Sequence, residues 1–227
     1  MKKISILVLI LTMLCGVFAL AAEGDSIEEA LLSKKEQRIK MYLYQAKVGD
    51  MAQKMEVLDK ILSEFNEFNY SANDKRLVEL VTMLSEEGST RKEYENGRLV
   101  NNFPDVRRKA VKVLAKLGGD QSRDALVSVL LNDEDTVVKA EACLALSEVG
   151  DSQTGEALRA LVYVYRKSYN PDPNFVKAVI QSIKAIAKSN SSAYSDAIFI
   201  LSEIQLGNYN RDIREAAYRA VEELSKS

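Results

Sequence analysis

A chain of 227 residues with no histidine, no tryptophan, 31 basic and 33 acidic side chains and a net charge of −2 excludes whole classes of chemistry. Without histidine there is no Ser-His or Cys-His catalytic pair and no His-bearing zinc site. The slightly acidic balance argues against a polyanion as main partner, because nucleic-acid affinity rests on clustered Lys and Arg, so no nucleic acid is expected, although a local basic patch stays open.

The first residues read as a processing signal. Lys2 and Lys3 precede an apolar stretch from Ile4 to Leu11, continued by Met13, Leu14, Val17 and Phe18, and Ala19-Leu20-Ala21 offers a small-x-small cleavage site. This order predicts a signal peptide over residues 1–21, a mature domain over 22–227 and a periplasmic or secreted location. The apolar stretch falls short of the ~20 residues that span a bilayer comfortably, so membrane contact is expected only through an uncleaved or lipidated N-terminus. Cys15 is the residue a lipoprotein would modify, but Met13 and Leu14 stand where small residues are usual. Cleavage removes two lysines and no acid, which takes the charge from −2 to about −4. It also leaves Cys143 as the single cysteine, so the mature chain forms no internal disulfide.

From there the chain is a succession of helical patterns with almost no strand-like alternation. Residues 26–47 predict a long helix, broken at Val48-Gly49-Asp50, and Met51, Met55, Leu58, Leu62 and Phe65 predict the apolar stripe of the next. Residues 74–86 follow with Leu77, Leu80, Val81 and Leu84. The insertion over 87–103 breaks the regularity. It holds Tyr94-Glu95-Asn96-Gly97-Arg98-Leu99-Val100, and Asn-Gly between apolar flanks predicts a small exposed hairpin near residues 91–101, because a two-residue turn needs φ > 0 twice. Loops inserted into regular arrays often carry contacts.

Val106, Ala110, Val113, Leu114 and Leu117 then form one narrow helical face, closed by Gly118-Gly119. The same face returns as Val138, Ala142, Ala145, Leu146 and Val149; as Phe175, Val179, Ser182, Ile183 and Ile186; and as Ile213, Ala217, Ala220, Val221 and Leu224. Between these lie helices predicted over 123–131, 154–169 and 192–206. Recurrence at intervals of 32, 37 and 38 residues marks a repeat array of helical pairs.

The flanks repeat too. Asn101, Asp133, Asn170 and Asn208 each stand five residues before the first apolar anchor, and Arg107, Lys139 and Arg214 follow it, with Val176 breaking the series. This resembles the HEAT repeat, in which a turn Asp or Asn and a basic residue early in the second helix form a ladder between neighbouring repeats. The resemblance implies an all-α fold, a right-handed α-solenoid of about five HEAT-like helical pairs with the hairpin inserted, and it implies that the second helices line a concave binding side. The first pair is degenerate, as terminal repeats usually are. HEAT-like repeats also occur in bilin lyases, and no further motif here points to that activity.

Chemistry-bearing residues are sparse. Cys143, among Ala142, Leu144, Ala145 and Leu146, reads as a packed small residue, and Asp133-Glu134-Asp135 as helix-start charges. Gly118-Gly119 follows a helix instead of opening one, so it is no phosphate cradle. No cofactor, no metal and no catalysis are expected. On the second helices, Arg108 and Lys112 lie opposite the apolar face; their equivalents are Ala140 and Leu144, Lys177 and Gln181, and Glu215 and Arg219. Stacked, these predict a ridge for a protein or peptide partner, with Arg108, Lys112, Leu144, Lys177, Gln181 and Arg219 as the contact residues. Tyr163 and Tyr169 are expected on the outer side, with Tyr165 in the core. The sequence leaves the oligomeric state open. It also leaves two rival readings: an enzyme of lyase or hydrolase type on the same scaffold, or an envelope structural lipoprotein.

Overall fold

The computed structural model describes residues 29–226; the signal reading and residues 26–28 of the expected first helix lie outside the described residues. The chain divides into two units, Met1–Tyr44 and Gln45–Ser227. In the first, residues 29–44 are helical (α1).

The second unit is a stack of helical pairs. Its elements are α2 (Met51–Ser63), α3 (Lys75–Ser85), the hairpin strands β1 (Tyr94–Glu95) and β2 (Arg98–Leu99), α4 (Pro104–Leu117), α5 (Gly119–Asn132), α6 (Thr136–Val149), α7 (Glu156–Lys167), α8 (Pro173–Ser189), α9 (Tyr194–Leu206) and α10 (Arg211–Ser225), with a 3-10 turn before α9. Each first helix packs on its second, α3 on α4, α5 on α6, α7 on α8 and α9 on α10. The second helices also stack in sequence from α2 through α4, α6 and α8 to α10. The result is an α-solenoid in which one amphipathic pair cannot bury its apolar stripe alone and neighbours complete the core.

The anchors Val106, Val138, Phe175 and Ile213 are all buried to within 2% of full burial. Local chemistry starts each second helix three residues earlier. Asp135 accepts from the Val137 and Val138 amides, Asp172 from those of Asn174 and Phe175, and Asn210 from that of Ile213. In α4 the side-chain cap is replaced by Pro104 in the first turn, where a missing N–H costs nothing. Ser182 occupies an apolar slot without an unmet polar group: its hydroxyl lies 2.6 Å from the Cys143 carbonyl on α6 and 2.8 Å from the Ala178 carbonyl.

The Asn-Gly hairpin forms as the sequence predicts. Tyr94 pairs with Leu99 and Glu95 with Arg98, antiparallel, around Asn96 at φ 50° and Gly97 at φ 77°.

Two boundaries differ from expectation. The buried stripe of α2 is Lys54, Val57, Leu58 and Ile61, while Met51 is 44% exposed, so the helix is rotated from the face its apolar residues suggest. Lys54 lies on that buried side beside Val57, Leu58 and Ile61, and pairs there with Glu87. Gly118 caps α4, but α5 opens directly at Gly119, well before residue 123. Gly119 sits at φ 79°, and a Cβ there would lie 2.5 Å from that of Ala72, so the tight junction depends on glycine.

Candidate protein-binding surface

The buried charges are the skeleton of the second-helix layer. Arg107, 3% exposed, donates from Nε to Asp133 Oδ2 at 2.6 Å and from Nη2 to Oδ1 at 3.1 Å, and Asp133 has no exposed side-chain surface. Its Nη1 donates to the Glu87 carbonyl at 3.1 Å and to Asn102 Oδ1 at 2.9 Å. Glu87 in turn pairs through its carboxylate with Lys54 of α2. Lys54 and Arg107 both fall four residues after their helix N-caps, Asp50 and Phe103. The chain Lys54–Glu87–Arg107–Asp133 is therefore a two-rung ladder joining α2, α4 and the turn before α6. Asp133 also accepts the Asp135 amide at 2.8 Å, which shapes the start of α6.

Sequence reasoning found the second rung and missed the first. It assigned Asn101 to the ladder, but the insertion separates that residue from the end of α3, where Glu87 takes the place. Asn101 instead holds the insertion, donating to the Arg91 carbonyl at 2.8 Å and accepting the Glu93 amide at 2.9 Å. The available signal was Lys54 itself, a cation at the same helical position as Arg107. Beyond Asp133 the ladder stops: Val176 is fully buried in the basic residue's place, and Asn170 and Arg214 are exposed.

Of the six expected contact residues, Lys177, Gln181 and Arg219 come together. They line a groove of about 550 Å³ over α8 and α10, floored by Ile180, Ala185, Ala216 and Ala220. Lys184 and Lys188 border it and each lies 3.1 Å from Glu223 Oε2. Hydrogen bonds from Lys184 and then Lys188 hold the Glu223 carboxyl below its usual range. The other three residues stand apart from this groove. Arg108 pairs with Asp105 at 3.4 Å within its own helix. Lys112 reaches Glu141 of α6 at 3.7 Å, and Leu144 is half-buried.

A second groove of about 600 Å³ lies between α7 and α9, with Leu158, Val162, Arg166, Phe199 and Ile200 among its lining. Tyr163 and Tyr169 are exposed, at 53% and 101%, while Tyr165 is buried and 3.2 Å from the Tyr209 hydroxyl. Burial pushes the Tyr165 hydroxyl up, as does its bond to Tyr209. Cys143 is fully buried, and desolvation raises its thiol far above the ordinary value. That thiol is a packing group and no nucleophile.

A search of curated proteins finds no match to this chain. The family model for HEAT repeats matches residues 98–168, which span the end of the hairpin through α7. That stretch contains both partners of the Arg107–Asp133 rung, so the part of the stack from the hairpin to α7 is similar to HEAT repeats in sequence as well as in fold.

Proposed function

We propose that this chain is a non-catalytic scaffold of the periplasm or cell envelope that binds a segment of another protein on its second-helix face. HEAT repeats are protein-interaction scaffolds, which supports the broad reading. The observation that carries the finer one is the convergence of Lys177, Gln181 and Arg219, from two different helices, on one groove with an apolar floor. Arg108 and Lys112 on α4 and Leu144 on α6 are the remaining residues of the proposed contact surface. Exposed cations beside small apolar residues suit a peptide or helix, since a polar rim around an apolar centre is the anatomy of protein interfaces. The envelope location rests on the order of charges, apolar residues and small residues over 1–21.

The test is cross-linking capture from the protein's own envelope, comparing the wild-type chain with an Arg108→Ala, Lys112→Ala, Lys177→Ala, Arg219→Ala variant. Loss of the captured protein with an unchanged helical circular-dichroism signal supports the reading. Full capture by the variant overturns the site. Mass spectrometry of the mature N-terminus tests the location: a start at Ala22 or Glu23 supports export, and an intact Met1 refutes it.

A further inference from the structure

The groove over α8 and α10 has a charge the rest of the chain does not share. Among its lining residues are four cations, Lys177, Lys184, Lys188 and Arg219, and a single acid, Glu223. Three positive charges are therefore in excess on a chain whose net charge is −2. The one acid is already engaged, because Lys184 and Lys188 share its Oε2. The nearest carboxylate to Arg219 is Glu215 at 3.9 Å, and Glu215 is held more closely by Arg211 at 2.7 Å. Lys177 forms no ion pair among the described residues and is exposed.

The arrangement also has a direction. Lys177, Lys184 and Lys188 are separated by seven and four residues, so at 100° per residue they fall within a narrow sector of α8 and extend about 16 Å along it. Opposite them, Ala216 and Ala220 on α10 leave the floor low, and Ile180 and Ala185 complete it. Small residues let a helix axis approach closely, toward the lower end of the usual ~8–10 Å spacing. Acids spaced seven and four apart on an incoming helix would meet the lysine row while its apolar side lay on the alanines.

We infer that the groove over α8 and α10 binds an acidic amphipathic helix of a partner protein, with Lys177 and Arg219 as the two open cationic contacts. This rests on the scaffold reading above and names the chemistry of its partner. Lys184 and Lys188 add to the field while holding Glu223.

The probe is a fluorescein-labelled amphipathic peptide of about 18 residues, long enough to form helix on binding, with Glu on one face and Ala and Leu on the other. Its anisotropy is titrated with the full chain, beside a charge-matched Lys version and a single-stranded oligonucleotide. Expected are saturable binding of the Glu peptide, no binding of the Lys peptide, and a gain in peptide helicity. Lys177→Glu with Arg219→Glu should weaken binding at least about 10-fold, since like charges across an interface oppose association. Lys75→Glu with Arg76→Glu, exposed at the start of α3 and outside the groove lining, should change it less than about twofold. The Lys177→Ala, Arg219→Ala pair is the second test should charge reversal disturb folding. Unchanged binding in both groove variants overturns the inference. So does an oligonucleotide that binds as tightly and displaces the peptide, which would mark a general anion site. If envelope capture survives the Lys177→Glu, Arg219→Glu variant but not the fourfold alanine variant, this inference fails and the scaffold reading stands. Survival in both overturns this inference together with the contact site assigned above.

Discussion

Replacing Asp133 by Asn removes one charge from the ladder and leaves its shape in place. Arg107 then stays 3% exposed with two neutral acceptors, the Glu87 carbonyl and Asn102 Oδ1, and no counter-charge. The Asn side chain has one acceptor oxygen where the carboxylate had two, so it cannot answer both Nε and Nη2, which now sit 2.6 and 3.1 Å from the two carboxylate oxygens. In either amide orientation an N–H group faces a guanidinium donor. Breaking a buried pair by removing one partner costs ~3–5 kcal/mol, and for a unit of this size each kcal/mol moves the midpoint by ~2–4 °C. An Asp133→Asn chain should therefore unfold roughly 10 °C lower. Urea unfolding followed at 222 nm measures the free energy, and hydrogen exchange should show the loss concentrated at the junction of α4 and α6, as expected where stability is a sum of neighbour terms. Arg107→Met with Asp133→Leu is the comparison. Apolar replacement of both partners should recover most of the loss, because the cost lies in the unpaired charge. A loss below about 1 kcal/mol for Asp133→Asn, the range of exposed pairs, would refute the reasoning that this rung is a buried structural bond.

The two glycines between α4 and α5 should separate by contact. Gly118→Ala meets only the penalty of ~1–3 kcal/mol for a backbone region that is essentially glycine's alone, at φ 68° and ψ −168°, as no atom lies within 4 Å of its added Cβ. Gly119→Ala adds a Cβ at 2.5 Å from that of Ala72 and should cost ~1–3 kcal/mol more; equal urea midpoints would show that the junction yields freely. Asn101→Ala should release the insertion without unfolding the stack. The Glu93 amide loses its acceptor, and its exchange should quicken about 10-fold or more for ~1–2 kcal/mol lost locally, while the Tm moves little. A large fall in Tm would mean that the hairpin's anchor also carries the ladder.

Much of this protein is written locally. The stripes from Val106, Val138, Phe175 and Ile213 are legible because a helix that buries one side must repeat apolar residues at its own period. The hairpin is legible because Asn96 and Gly97 tolerate φ > 0 whatever surrounds them. Even the Arg107–Asp133 rung could be read, since both residues keep their place in a recurring register. Lys54 and Glu87 could not be paired from sequence in the same way. They lie 33 residues apart, a buried charge leaves no mark in an apolar pattern, and the insertion moved Asn101 out of the ladder's place. The same limit holds for the candidate site. Helical spacing puts Lys177, Gln181 and Arg219 on outward faces, but only the stacking of α8 against α10 brings them to one groove, as the packing of α4 on α6 sets Lys112 beside Glu141. Sequence by itself determined which side of α4, α6, α8 and α10 turns inward, because that depends on a few neighbouring residues, but not which side of α2 does, where Lys54 is buried and Met51 is exposed. The tertiary structure alone decided which outward residues meet, because that depends on how far and at what rotation each repeat settles on the next.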